Sequence, residues 1–219
     1  MERHFDEELR MLKEKLLRMA SLAEESITLA VKSLKDRKEE LAHEVLKGED
    51  AVNLLDVEID KLAMQLLALR QPMAVDLRFI TAAMRIAVEL ERIGDLSVNI
   101  AERTLDLLKV PLLKPLIDIP RMAQLAQSMV KDSIDAFINK DDKLARNVCQ
   151  RDDEVDDLNN QIFRELLTYM MQDPSTIKKA VDLILVGRHL ERIADHATNI
   201  SEDVIYYVIG KTIKHHFET

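Results

Sequence analysis

From Phe5 to about Leu34 apolar residues recur every three or four positions: Leu9, Leu12, Leu16, Met19, Ala23, Ile27, Ala30, Val31 and Leu34. That period belongs to a helix with one face in a core, so the stretch is predicted as a first amphipathic helix. The charged run Asp36 to Glu40 reads as a turn, after which Leu41, Val45, Val52, Leu55, Ile59, Leu62 and Leu66 carry a second helix to about Arg70. Gln71-Pro72-Met73 ends it, because proline disfavours the helical conformation in the residue before it. A third helix is predicted from about Val75 to Leu108. Three prolines between Val110 and Pro120 then interrupt the pattern and mark a boundary.

Beyond the boundary the plan repeats. Arg-Met-Ala-Ser-Leu-Ala at Arg18 to Ala23 matches Arg-Met-Ala-Gln-Leu-Ala at Arg121 to Ala126, and Leu41, Val45, Asp50, Val52, Leu55 and Ile59 match Leu144, Val148, Asp153, Val155, Leu158 and Ile162. Twelve of the forty-nine positions from Arg18 to Leu66 are identical to those 103 residues later, so the halves are diverged copies. Asp173-Pro174 opens the last helix, with Asp as N-cap and Pro at the first helical position. The expected fold is all-α: two tandem antiparallel three-helix bundles related by pseudo-twofold symmetry. Residues 1–109 form the first bundle, 110–120 a proline-rich linker and 121–219 the second bundle.

The sharpest repeat lies in the third helix of each half. Leu90 to Glu102 reads L-E-R-I-G-D-L-S-V-N-I-A-E and Leu190 to Glu202 reads L-E-R-I-A-D-H-A-T-N-I-S-E, identical at eight of thirteen positions. At about 100° per residue, Glu91, Asp95, Asn99 and Glu102 fall within about 80° of one another, while Ile93, Leu96 and Ile100 take the opposite face. Glu191, Asp195, Asn199 and Glu202 repeat the stripe. In an antiparallel hairpin turning near Pro72, Asp50 lies level with Asp95 and Asn53 with Glu91. With a turn near Asp173-Pro174, Asp153 lies level with Asp195 and Asp156 with Glu191. Helix axes 8 to 10 Å apart, a typical packing distance, let carboxylates from both helices converge on a cation. Oxygen-only donors favour Mg, Ca, Mn or Fe over Zn. A charged stripe is more commonly a solvated face, and Arg92 and Arg192 offer neutralising salt bridges instead. Retention of the stripe between halves about a quarter identical favours the metal reading, since a solvated face needs only polarity.

Composition narrows the function. Four glycines, five prolines and no tryptophan suit long helices, and a net charge of −9 opposes a backbone-driven nucleic-acid binder. The single Cys149 excludes an intrachain disulfide and fits a reducing compartment. The first residues lack the apolar core of a signal peptide, and no stretch approaches the roughly 18 apolar residues of a membrane span, so a cytoplasmic protein without membrane insertion is expected. Glu40-x-x-His43 is an isolated motif, with Lys143 and Arg146 at the aligned positions, whereas a ferritin-like di-iron site needs two. His43 is expected level with Glu102. His196 points about 100° off the stripe, His215 and His216 read as a frayed terminus, and Met170-Met171 read as core filler. No glycine-rich phosphate loop, G-x-S-x-G elbow or zinc H-E-x-x-H motif occurs.

The tandem E-R-I-G-D-x-x-x-N-I and E-R-I-A-D-x-x-x-N-I motifs, the D-L-R of Asp76 to Arg78 and the two three-helix halves resemble the PhoU family, phosphate-uptake regulators of bacteria. The resemblance spans about Phe5 to Ile209. It implies an all-helical cytoplasmic protein, often a homodimer, peripheral to the inner face of the membrane only through partners. It also implies a negative regulator of the phosphate-starvation response that links the ATPase subunit of the phosphate ABC transporter to a sensor histidine kinase by contact, without catalysis. Some members bind multinuclear iron or other metals through E/D-x-x-x-D motifs, which carries over to Glu91 and Asp95 and to Glu191 and Asp195, with Asp50 and Asp153 as further ligands. Thr176-Ile177-Lys178 stand where the second half would need D-L-R, and Asn53 replaces the acid of Asp156, which predicts a first site that is weaker or of different nuclearity. The alternative is a carboxylate-bridged metalloenzyme, which the missing second E-x-x-H disfavours.

Overall fold

A computed structural model describes residues 2–211, 213–214 and 217–218. The helices are α1 (Glu2–Asp36), α2 (Glu39–Arg70), α3 (Ala74–Leu108), α4 (Asp118–Asn139), α5 (Asp142–Gln150), α6 (Asp152–Gln172) and α7 (Ile177–Ile209). A short antiparallel pairing, β1 (Ile213–Lys214) with β2 (Phe217–Glu218), follows them. His215 and His216 lie outside the described residues.

The expected apolar rows form the core. Leu12, Leu16, Met19, Ala23, Ile27, Ala30 and Leu34 are all buried along α1, and Val52, Leu55, Ile59 and Leu66 along α2. Pro120 interrupts less than expected: α4 already begins at Asp118, because proline lacks only an N–H that the first helical turn leaves unpaired anyway. Asp173 caps as expected, its Oδ1 accepting from the Ser175 N–H at 2.9 Å, but the first turn, Pro174–Thr176, is a 3₁₀ turn.

One helix departs from the repeat. The middle rod of the second bundle breaks at Arg151 into α5 and α6, whereas α2 runs straight through the aligned Gly48. The Arg151 side chain donates to Asp132 Oδ2 at 2.6 Å and Ser128 Oγ at 3.3 Å on α4, which draws the rod toward that helix.

The two halves meet chiefly through α3 and α7, which run antiparallel, with α1 on α4 beside them. Across this seam Arg85 pairs with Asp203 at 3.0 Å and Arg103 faces Asp182 at 3.7 Å. Phe79, Phe137 and Tyr207 cluster at ring separations of 5.5 to 5.7 Å, Phe79 stacked on Phe137 and Tyr207 tilted against both, tying α3, α4 and α7 together. An arginine from outside each motif helix closes its carboxyl end. Arg37 donates to Leu108 O and Val110 O at 2.9 and 2.8 Å, and Arg78 of the D-L-R donates to Tyr207 O at 3.1 Å. A cation there satisfies orphan carbonyls and complements the helix dipole. Since Arg78 serves the end of α7, and Arg37 serves α3, the second half has no need of its own D-L-R.

Candidate functional site

Each motif helix lies beside the middle helix of its own bundle, and the acids gather along that groove. On the α3 side Glu91 and Asp95 are half-buried as the stripe predicts. On the α2 side the register differs by one residue. Asp50 lies about 100° past Glu49 and faces solvent, while Glu49, Asn53 and Asp56 face the groove. Burial raises the Glu91 carboxyl above its ordinary range, and the charges of Asp95, Asp56 and Glu49 add to the effect against the opposing Arg92. Asp56 is raised by burial and by Asp60.

The second bundle repeats the set from Asp152, Asp156 and Asn159 on α6 with Glu191 and Asp195 on α7. Asp152 is pushed up from 3.8 to about 6 by burial first, then by Asp195, Asp156, Asp153 and Glu191. Burial also raises Asp156, with Asp195 and Asp153 adding to it. Glu191 is raised by burial, opposed by Arg188 and by a hydrogen bond from Asn159. Asp153, like Asp50, is exposed, although its charge still reaches Asp152 and Asp156.

Glu49, Asp56, Asp152 and Asn159 were not singled out in the sequence, yet a signal for them exists. Glu49, Asn53 and Asp56 stand 103 residues before Asp152, Asp156 and Asn159, and the acid and amide merely exchange places between the last two positions. Both grooves therefore carry four acids and one amide at these five positions, so Asn53 leaves no charge deficit in the first half.

The remaining stripe residues diverge. Asn99 is half-buried and Glu102 exposed on α3. Asn199 turns to the seam between the halves, where its Nδ2 donates to Glu89 Oε2 at 3.1 Å, and His196 Nδ1 stands 2.5 Å from the same oxygen. Burial opposes ionisation of Glu89, but these two hydrogen bonds outweigh it and hold the carboxyl below its ordinary range. Glu202 stands near Cys149, whose thiol is pushed up to about 11 by burial and then by Glu202 and Asp152. At neutral pH that thiol is protonated and a poor ligand. His43 lies exposed beside Glu39 at 3.3 Å on the surface of α2.

Guanidinium groups neutralise part of each cluster. Arg92 stands 3.4 Å from both Glu91 and Asp95, as expected, but in the second bundle the partner of Glu191 is Arg188 rather than Arg192. Arg192 lies instead on the side of His189, whose pKa is lowered first by burial and then by the charges of Arg192 and Arg103. Among the described residues no three His, Cys, Asp or Glu side chains are gathered as a bound metal would hold them. In kind the donors fit a hard cation, being carboxylate and amide oxygens that repel one another. Their arrangement would require side chains to swing inward and the arginines to swing away.

Because burial and like charge hold the Asp152 proton longer in the fold than in the unfolded chain, stability without metal falls as pH rises from about 4 through about 6. Asp152→Asn is therefore expected to match the parent near pH 4 and to exceed it above pH 6 by about 1 kcal/mol, solvent screening reducing the effect at this half-exposed site. Thermal melts in chelator across that range check it, and equal melting points at pH 7 would refute it.

A family model described as the PhoU domain matches the chain twice, over residues 16–104 and 119–204. The chain belongs to the PhoU family. The two matches coincide with the two repeats, each carrying one acidic groove. The phosphate-specific transport system accessory protein PhoU homolog of Aquifex aeolicus is 45% identical over 208 residues, covering 95% of this chain and 94% of that protein. The Caulobacter vibrioides homolog of the same name is 42% identical over 210 residues, covering 95% and 91%. The crystal structure of PhoU from Pseudomonas aeruginosa superposes with a TM-score of 0.91 at 38% identity, covering 94% of this chain and 99% of that one. The phosphate transport system regulatory protein PhoU from Streptococcus pneumoniae gives 0.87 at 28% identity, covering 96% and 99%. The fold is thus the tandem three-helix arrangement of PhoU structures. No helix among the described residues is long and apolar enough to cross a membrane.

Proposed function

We propose that this chain is an accessory regulator of phosphate uptake that works by contact in the cytoplasm. In this reading it joins the ATPase subunit of a phosphate ABC transporter to a sensor histidine kinase and keeps the phosphate-starvation response off while phosphate is plentiful. The single observation that carries it is the full-length match, through both repeats, to proteins named as accessory to phosphate-specific transport. Long helices that line acidic grooves up along the bundle suit a docking scaffold. A homodimer is the expected form.

The two acidic grooves are proposed cation sites. Glu49, Asn53, Asp56, Glu91 and Asp95 would hold an ion in the first bundle, and Asp152, Asp156, Asn159, Glu191 and Asp195 in the second, with Fe, Mn, Mg or Ca as candidates. A bound cation would relieve the mutual repulsion of four acids and stiffen each hairpin. Deletion of the gene tests the regulatory reading: alkaline phosphatase is expected to be expressed in rich phosphate, where the parent strain represses it. Full repression in the deletion strain, with no binding of the transporter ATPase to the purified chain, would sink it.

A further inference from the structure

The acidic groove of the second bundle does not end at its acids. Along α6 the azimuth of Asn159 continues at Phe163 and, drifting about 40° per step of four, at Leu167, while Met171 has turned about 120° to the outer side. Along α7 the azimuth of Asp195, Glu191 and Arg188 continues back through Ile184, Val181 and Ile177. The two helices are antiparallel and close: a Cβ on Gly187 would stand 3.0 Å from Asn159 Oδ1 and 3.8 Å from Ile162 Cγ2. Phe163 and Leu167 are therefore level with Ile184 and Val181. One groove thus has an acidic end and an apolar end.

The apolar end is open to solvent. Phe163 is 48% exposed, Leu167 and Val181 42% each, and Met171 77%. Met171 is thus no core filler, since it lies about 100° past the half-buried Met170, on the outer face. The first bundle keeps the same order in weaker form, with Met64, Leu77 and Val88 exposed beyond its acids but Asp60 in place of Phe163. An exposed row of large apolar side chains, complete only in the second half, marks a surface that another molecule covers. Its span from Ile177 to Ile184 along α7, about 10 Å at 1.5 Å per residue, matches two turns of a helix lying in the groove.

Charge selects the occupant. Asp152, Asp156, Glu191 and Asp195 crowd together so that each raises the pKa of its neighbours, and Arg188 pairs with Glu191 from the same helix, so negative charge at this end is left to be met by a cationic occupant. A second copy laid groove on groove would set acid against acid in one direction and acid against apolar surface in the other, with no charge pairing. We propose that, with its cation site empty, this groove docks a cationic amphipathic helix of a partner protein, its apolar stripe on Phe163, Leu167, Val181 and Ile184, and its Lys or Arg residues taking the place of the cation at Asp156, Glu191 and Asp195. The proposal rests on the adaptor reading and names the kind of segment the adaptor grips.

The test uses the full chain in chelator and a labelled synthetic helical peptide of about 18 residues, with Leu at i, i+4 and i+8 and two Arg one and two turns beyond. Fluorescence anisotropy is expected to show saturable binding. Leu167→Glu and Val181→Glu, both at exposed positions, are each expected to weaken it about tenfold or more, and replacing the peptide's Arg pair with Glu does the same. Met64→Glu in the first groove changes it less than about twofold. Circular dichroism and melting temperature verify that the variants fold. No saturable binding up to about 1 mM, or equal binding by the parent and Leu167→Glu, overturns the proposal. So does a parent dimer that dissociates on Leu167→Glu without binding peptide, since a second copy then fills the groove. Binding of the transporter ATPase is measured on the same samples. If it binds parent and Leu167→Glu alike while the peptide fails, the groove proposal falls and the adaptor reading stands. If the peptide binds as expected but no ATPase does, the adaptor reading falls and the groove stands.

Discussion

In the Asp156→Asn, Glu191→Gln double variant, cation affinity in the second bundle is expected to fall about a hundredfold while the first bundle keeps its own. The expectation rests on the proposed cation sites. The changes are nearly isosteric, so groove shape is kept and two of its four negative charges are removed. The two clusters belong to different hairpins, α2 with α3 and α6 with α7, so they respond separately. Titration of chelator-stripped protein with Mn²⁺, followed by calorimetry or the free-ion resonance signal, should show two sites in the parent and one in the variant. Arg188→Gln is expected to act the other way and tighten the second site, because the guanidinium that competes for Glu191 is gone. Affinity should also fall as pH drops through about 6, where Asp152 takes up its proton. A parent with no saturable cation binding would make both grooves solvated faces and leave the regulatory reading on family membership.

Leu190→Ala is expected to destabilise the chain by about 3 kcal/mol and to lower its melting temperature by about 10 °C. Leu190 is fully buried on α7, one residue before Glu191. The helix that presents the acids outward thus turns its apolar side into the core that joins the halves. Truncation leaves a cavity that long packed helices close poorly. Leu90→Ala, at the corresponding fully buried position of α3, should cost a similar amount. By contrast, Glu191→Gln, one residue away, is expected to leave the melting temperature within a few degrees. Denaturant and thermal unfolding of the three variants check the set. A loss under about 1 kcal/mol for Leu190→Ala would contradict the packing described for α7.

The contrast between these neighbouring residues explains what could be read in advance. Leu90, Ile93, Leu190 and Ile193 announce themselves by period, because every core residue on a helix recurs at helical spacing. Height along a hairpin was legible too: Gly187 meets Asn159 and Ile162 near the level that a turn at Asp173-Pro174 requires. Azimuth was not. Asp50 and Glu49 are equally good acids in the sequence, and only the rotation of α2 about its own axis, set by how Val52, Leu55 and Ile59 pack, turns Glu49 into the groove and Asp50 away. The same limit applied to Asn199, which the stripe placed with the acids and the seam drew to Glu89.

Period, breakers and self-similarity are local properties of a chain, so the helical class, the duplication, the helix bounds to within a few residues and the outward stripe of Glu91, Asp95, Glu191 and Asp195 are legible in the order of residues alone. Which acids face one another, which arginines neutralise them, that Arg78 closes the end of α7, and that the rod breaks at Arg151 and not at Gly48 emerge from the packing of the helices. These depend on rotations of about 100° and on side-chain reach between helices, and neither leaves a periodic trace in the sequence.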